Sequence, residues 1–129
     1  MKASELRIGN LVNLMLNHED FETIRVDVTD LINIPNGGVY EPIPVTEKWF
    51  EKFGFYRDGE YWSRGINDYK YCFKYRDWAD NWAFYQEFTD SPDDRDDGVK
   101  YPISFDIKYV HQLQNLWFAL LFEELTIKG

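Results

Sequence analysis

A strict alternation runs through Tyr69-Lys70-Tyr71-Cys72-Phe73-Lys74-Tyr75, where aromatic side chains occupy every second position. Successive side chains of a β-strand point to opposite faces, so a period of two predicts a strand with one aromatic face. Turn-forming residues precede and follow this stretch, at residues 65–68 and 76–81. The stretch is therefore expected to form the centre of an antiparallel meander over residues 55–88.

Two strands and a short helix are predicted before this meander. Residues 6–34 contain two apolar segments around a polar break at 17–20, a pattern typical of a β-hairpin, with Val28 in the second strand. Residues 33–44 are rich in Pro, Gly and Asn and are expected to form a connecting loop. Thr46 is a suitable N-cap for a helix that ends at Gly54, where a left-handed residue commonly closes a helix.

A last strand is predicted at residues 99–105, and Pro102 places it at the edge of the sheet because proline cannot donate a ladder hydrogen bond. The longest helix is predicted at residues 107–123, which contain no Gly or Pro, with Asp106 as its cap. Its apolar face is expected to consist of Tyr109, Leu113, Leu116, Trp117, Leu120 and Leu121.

These elements predict an α+β fold in a single domain, residues 1–129. It consists of an N-terminal β-hairpin or small barrel-like unit, a short helix, an aromatic antiparallel meander, and a long C-terminal helix packed on the sheet. A chain of 129 residues can bury a sufficient core without a metal or disulfide.

The charge balance limits the choice of partners. The chain has 23 acidic and 14 basic residues, a formal net charge of -9. Nucleic-acid binding depends on cationic neutralisation of phosphates, so direct binding to nucleic acid is not expected, whereas a basic protein surface would be attracted. Cys72 is the only cysteine, and no long apolar run occurs. We expect a cytoplasmic protein without membrane contact.

Three segments carry a family resemblance: ELRIGNLV at residues 5–12, PIPVTEKW at 42–49 and YVHQLQNLWFAL at 109–120. They resemble a group of small uncharacterised proteins from Bacteroidota and their phages. The resemblance implies a shared fold and a phage or mobile-element context, with no catalytic residues to transfer. Relatives tend to have Thr-Gly before Glu-Glu-Leu, where this chain has Leu121 and Phe122. The helix is expected to run longer here or to end without a glycine cap.

The acidic stretch at residues 90–98 is a candidate for calcium or for a protein partner. A calcium loop that begins at Asp93 would place Arg95 and Ser104 at ligand positions, so no metal is expected there. The stretch is interpreted either as a solvated hairpin loop or as an imitation of phosphate charges. The partner-binding candidates are Asp93, Asp94, Asp96 and Asp97.

Catalysis is not expected. The chain has two histidines, His18 and His111, which do not form a recognisable triad or zinc-ligand spacing with Cys72. Cys72 is interpreted as an ordinary strand cysteine, although Lys70 and Lys74 could lower its pKa and make it reactive. No cofactor is predicted.

Aromatic residues supply the other candidates, since sixteen of the 24 lie between residues 49 and 88. Most are expected to fill the core, while Trp78 and Trp82, beside an Asp-containing turn, are the preferred exposed anchors, ahead of Tyr61, Trp62 and Tyr85. On the C-terminal helix, Phe118 and Phe122 lie opposite the apolar face, together with His111 and Asn115. These two rings are covered either by the N-terminal hairpin or by a partner.

The sequence hypothesis is a non-catalytic phage or mobile-element accessory protein that binds a host protein with a basic surface in the host cytoplasm. Its target would be a nucleic-acid-binding enzyme of a defence system, inhibited in the manner of anti-CRISPR or anti-restriction proteins. One alternative is a homodimeric structural module that uses the C-terminal helix. The other is an enzyme that acts through carboxylates.

Overall fold

The computed structural model describes residues 2–17, 19–35, 39–66, 69–88 and 99–127. By its internal contacts the chain divides into two units, Met1–Pro44 with Tyr109–Leu125 and Val45–Lys108 with Thr126–Gly129. The described residues form eight strands and three α-helices, and the strands pair antiparallel throughout. The predicted α+β class is confirmed.

The first unit contains a three-stranded sheet in the order β2-β1-β3. Its strands are β1 (Leu11–Met15), β2 (Phe21–Arg25) and β3 (Tyr40–Glu41). In the hairpin Leu11 pairs with Arg25, and Met15 pairs with Phe21. The predicted N-terminal hairpin is confirmed, and its inner face packs on a core cluster of Leu6, Val12, Val26 and Tyr40.

Two elements of this unit differ from the sequence prediction. Val28 begins helix α1 (Val28–Asn33) rather than continuing a strand. The Asp27 and Asp30 side chains each accept a hydrogen bond from the other's backbone N–H, at 3.0 and 2.9 Å, which satisfies two free amides at the helix start. The predicted loop at residues 33–44 contains β3, which pairs with β1.

The second unit contains helix α2 (Glu47–Lys52) and a five-stranded sheet with its strands in sequence order. The strands are β4 (Tyr56–Asp58), β5 (Tyr61–Ile66), β6 (Tyr69–Arg76), β7 (Asn81–Phe88) and β8 (Lys100–Ile107). The predicted meander and edge strand are confirmed. Thr46 is the N-cap residue of α2, although its side chain makes no capping hydrogen bond. Gly54 has φ of 88°, the left-handed conformation expected after the helix.

The core of this second unit is aromatic. Phe50 of α2 is fully buried, and its ring lies 5.4, 5.2 and 4.7 Å from those of Phe55, Phe73 and Trp82. Most of these contacts are edge-to-face or tilted, the arrangements that aromatic quadrupoles favour. The aromatic side of the meander therefore holds α2 against the sheet.

The C-terminal helix α3 (Val110–Leu121) belongs to the first unit, where it packs on β1. It begins later than predicted, because Asp106 lies in β8 and forms an ion pair with Arg76 at 2.6 Å. The Gln112 side chain instead accepts a hydrogen bond from the Tyr109 N–H at 3.0 Å, just before the first turn. No helix among the described residues is both long and apolar enough to cross a membrane.

Candidate binding sites

The hairpin that joins β6 to β7 presents an exposed tryptophan. Trp78 lies in the four-residue turn 77–80, and 81% of its surface is exposed. Burial of so large an apolar side chain normally stabilises the folded protein, and the exposed Trp78 contributes little of this stabilisation. We call residues 75–81 the Trp78 hairpin.

The residues around Trp78 are held in place by several contacts. The Arg76 guanidinium lies 4.9 Å from the centre of the Trp78 ring and donates from Nε to Asn81 Oδ1 at 3.0 Å. Across the hairpin, the Tyr75 hydroxyl donates to Asp80 Oδ1 at 2.5 Å. These contacts restrict the side chains before a partner binds, which would reduce the conformational entropy lost on binding.

Trp82 was expected to be an exposed anchor, and this expectation is wrong. Only 5% of Trp82 is exposed, and its indole N–H donates to the Val45 carbonyl oxygen at 3.2 Å. The residue lies opposite Tyr75 in the β6–β7 pair, so its side chain joins Phe50 and Phe73 in the core. Trp78, four residues earlier, lies in the turn and escapes this burial.

The two phenylalanines near the end of α3 differ in exposure. Phe118 is half-buried, and the Arg7 guanidinium covers its ring at 4.3 Å from the ring centre. Phe122 is 85% exposed, and its ring contacts Phe118 edge to face at 6.1 Å. The N-terminal segment thus covers the first ring in part and leaves the second ring open.

Phe122 also has an unusual backbone conformation. Helix α3 ends at Leu121, and Phe122 follows in the left-handed region with φ of 53° and ψ of 32°. Its N–H donates to the Phe118 carbonyl oxygen at 2.7 Å. Glycine commonly occupies this position because a side chain is disfavoured there. Of the two expectations for this end of the helix, an ending without a glycine cap is correct.

His111 and Asn115, which the sequence places opposite the apolar face of α3, are not on an open side of the helix. His111 is buried, as is Gln114, and Asn115 is half-buried. Asn115 Oδ1 accepts from Arg7 Nε at 2.8 Å and from Asn10 Nδ2 at 2.9 Å. This face of the helix therefore contacts the N-terminal segment.

Further hydrogen bonds complete this contact. Gln114 Oε1 accepts from the Leu11 N–H at 2.8 Å, and Arg7 Nη1 donates to Glu124 Oε1 at 2.7 Å. The N-terminal segment and residues 114–124 thus share one polar network, which is buried at Asn10 and Gln114 and exposed at Glu124. Because its members satisfy one another, we interpret the network as structural.

The face of the five-stranded sheet opposite the aromatic core carries three described lysines, Lys70, Lys74 and Lys100, and each is paired with a carboxylate. Glu87 is buried and bonds to Lys70 at 3.2 Å and to Lys100 at 3.4 Å, while Lys74 pairs with Glu60 at 3.0 Å. Burial alone would lower the pKa of Lys70, but hydrogen bonds to Tyr56, Asp58 and Glu87 outweigh it and raise the pKa. Lys70, Lys74 and Lys100 thus each have a carboxylate partner, so none of these three described lysines is free to bind an anionic ligand.

Cys72 lies on this same sheet face and is completely buried. Burial raises the pKa of its thiol, despite a smaller opposing effect of the neighbouring Ser63. A buried thiol with a raised pKa does not fit the alternative of activation by Lys70 and Lys74, and it agrees with the interpretation as an ordinary strand cysteine. Tyr61, Trp62 and Tyr85 are half-buried, so Trp78 is the most exposed of the five aromatic anchors proposed between residues 49 and 88.

The acidic candidates Asp93, Asp94, Asp96 and Asp97 lie outside the described residues. Among the residues that are described, no group of three or more His, Cys, Asp and Glu side chains could hold a metal ion.

The chain matches no protein-family model, no curated protein and no solved structure. The sequence predicts an exposed Trp78, as the structure has it, but its local pattern does not single out Tyr75 and Arg76, which lie within three residues of it.

Proposed function

We propose that this protein is a non-catalytic binding protein and that the Trp78 hairpin is its main contact with a protein partner. One observation carries the proposal: an indole that is 81% exposed stands on a hairpin whose neighbouring side chains contact one another and the indole ring. Trp, Tyr and Arg are enriched among the residues that dominate binding energy at protein interfaces. Tyr75, Arg76 and Trp78 bring all three types together.

The charge of the protein favours a basic partner. Asp77 and Asp80 lie in the turn beside Trp78, and the whole chain carries a net charge of -9. A complementary surface would have an apolar recess for the indole and lysine or arginine side chains around it. Acidic groups at the rim would mainly speed association and orient the partner, while the buried indole would slow dissociation.

The wider role that we propose is that of a phage or mobile-element accessory protein in the host cytoplasm. Its partner would be a host protein that handles nucleic acid in a defence system, inhibited in the anti-CRISPR or anti-restriction manner. Two features support this role: the acidity, which resembles that of a phosphate array, and the sequence resemblance of residues 5–12, 42–49 and 109–120.

A capture experiment tests the Trp78 hairpin. Wild-type protein, Trp78→Ala and Phe21→Ala would each be immobilised and exposed to the same bacterial lysate, and retained proteins identified by mass spectrometry. Phe21 is a matched control because it is an exposed aromatic residue, 57% accessible, on β2 of the other unit.

We expect wild-type protein and Phe21→Ala to retain the same basic protein, and Trp78→Ala to lose it. Truncation of an aromatic anchor typically costs at least about 2 kcal/mol of binding energy, or roughly a thirtyfold loss of affinity. Equal retention by all three proteins would show that the hairpin is not the contact. If wild-type protein retains nothing specific, the proposed function itself fails.

A further inference from the structure

Phe122 occupies a position that is unfavourable for the folded chain in two ways. Its backbone lies in the left-handed region, at φ of 53°, where a side chain costs free energy relative to glycine. Its ring is 85% exposed, so burial does not compensate for this cost. Residues that break a local structural rule without a compensating gain are concentrated at functional sites.

The ring beside Phe122 already binds a cation. The Arg7 guanidinium lies 4.3 Å from the centre of the Phe118 ring, and its Nη1 donates to Glu124 at 2.7 Å. An aromatic face and a carboxylate thus hold one arginine together, by cation–π attraction and a charge-assisted hydrogen bond.

The next residues of the chain supply the same two kinds of group, and no cation of the described residues lies over the Phe122 ring. Phe122 contacts Phe118 edge to face, and Glu123, which follows it, is exposed. Glu123 and Glu124 together outnumber the single positive charge of Arg7. This surface therefore has a net negative charge beside an exposed ring, and both features attract a cation.

We propose that Phe122, with Glu123 and Glu124, binds an arginine side chain of a basic protein segment. Arginine fits better than lysine because its planar guanidinium stacks on a ring and donates to a carboxylate at the same time. A second copy of this chain fits less well, since a symmetric contact would bring the Glu123 and Glu124 side chains of both copies together. Phe122 and the Trp78 hairpin belong to different units of the chain.

A titration with a small probe tests this site without knowledge of the natural partner. The probe is N-acetyl-arginine methylamide, and its control is the citrulline analogue, which has the same shape without the charge. Backbone amide NMR signals of residues 118–124 are followed in wild-type protein, Phe122→Gly and Phe21→Ala. Phe21→Ala removes an exposed aromatic residue from the same unit and leaves Phe122 in place.

We expect the arginine probe to cause saturable changes in the amide chemical shifts of residues 118–124, and the citrulline analogue to cause none. Phe122→Gly should weaken this binding by about two- to fivefold, the size of one exposed cation–π contact. Phe21→Ala should bind as wild type does. Because glycine suits the left-handed position, Phe122→Gly should also unfold at a temperature about 3–5 °C higher, which would exclude misfolding as the cause.

Three results would overturn the proposal. One is an unchanged affinity in Phe122→Gly, and another is an equal response to arginine and citrulline. The third is a wild-type dimer, seen by sedimentation velocity, that Phe122→Gly converts to monomer, since the occupant would then be a second copy.

Discussion

The imidazole of His111 is buried at the start of α3, and only 3% of the residue is exposed. Its ring is parallel to that of Tyr109 at 5.9 Å, and its Nδ1 has no hydrogen-bond partner among the described residues. Burial lowers the pKa of His111 below its usual 6.5, with a smaller opposing effect from Glu5. A helix start also disfavours a positive charge, so the neutral form of the imidazole is the one that suits this site.

Stability should consequently depend on pH through this residue. In the unfolded chain the imidazole takes up a proton near pH 6.5, whereas in the folded protein it does so only at lower pH. The His111 contribution is therefore fully present above about pH 6.5, falls as the pH drops towards the lower folded-state pKa, and is constant below both values.

Urea unfolding of wild-type protein and His111→Gln at a series of pH values from about 7.5 to about 4.5 would measure this effect. We expect the free energy of unfolding of the wild type to decrease more steeply below about pH 6.5 than that of the variant. Parallel curves would show that the protonation of His111 is not coupled to folding.

At the level of secondary-structure elements, two neighbouring residues of α3, Gln114 and Asn115, join the helix to the N-terminal segment, and Asn115 makes three of the hydrogen bonds. Its Oδ1 accepts from Arg7 and Asn10, at 2.8 and 2.9 Å, and its Nδ2 donates to the Glu5 carbonyl oxygen at 3.2 Å. Asn10 is completely buried, so its Nδ2 would lose its acceptor without access to water if Asn115 were truncated.

Asn115→Leu should therefore destabilise the protein by about 2–3 kcal/mol, because it leaves the buried Asn10 amide and the partly buried Arg7 Nε without an acceptor. Asn115→Asp is the matched variant, since it keeps an acceptor oxygen for Arg7 and Asn10. It should cost clearly less. Urea denaturation at neutral pH measures both changes, and equal losses in the two variants would contradict a role for the accepted hydrogen bonds.

The secondary structure was predictable where a local pattern coincided with the tertiary contacts. The alternating residues 69–75 form a strand that is stabilised on both faces. Phe73 packs on α2 on one face, and Lys70 and Lys74 pair with carboxylates on the other. Helix α1 was missed because the apolar alternation through Val28 resembles a strand. Its start depends on the reciprocal hydrogen bonds of Asp27 and Asp30, which override that pattern.

The candidate sites were predictable only in part, for a related reason. Trp78 and Trp82 are both aromatic residues beside the same turn, and whether each is buried depends on strand pairing. Trp82 pairs within the sheet and enters the core, whereas Trp78 lies in the turn. The network of Arg7 with Asn115 spans more than a hundred residues of sequence, so no local pattern could reveal it.

At the scale of the whole molecule, the acidity is unevenly distributed along the sequence. Residues 90–97 contain five Asp and one Arg, a net -4 of the total -9. If acidity attracts the basic partner, this stretch should contribute a large part of the attraction over distances of about 10 Å, the Debye length near 0.1 M salt. Such an effect changes the rate of association more than the rate of dissociation.

Replacing Asp93, Asp94, Asp96 and Asp97 with Asn changes the formal net charge from -9 to -5 and preserves side-chain size. Binding kinetics to the captured partner would be measured by surface plasmon resonance at about 0.05 M and about 0.5 M salt. We expect the quadruple variant to associate roughly tenfold more slowly than wild type at low salt and at a similar rate at high salt.

Trp78→Ala provides the contrast in the same experiment, because loss of an apolar anchor should speed dissociation at both salt concentrations and leave association almost unchanged. The two variants thus distinguish long-range electrostatic attraction, which changes the association rate, from contacts within the complex, which change the dissociation rate. An unchanged association rate of the quadruple variant at low salt would show that the acidic stretch takes no part in partner attraction. The Trp78 hairpin would then remain as an interface that acts through shape and apolar burial alone.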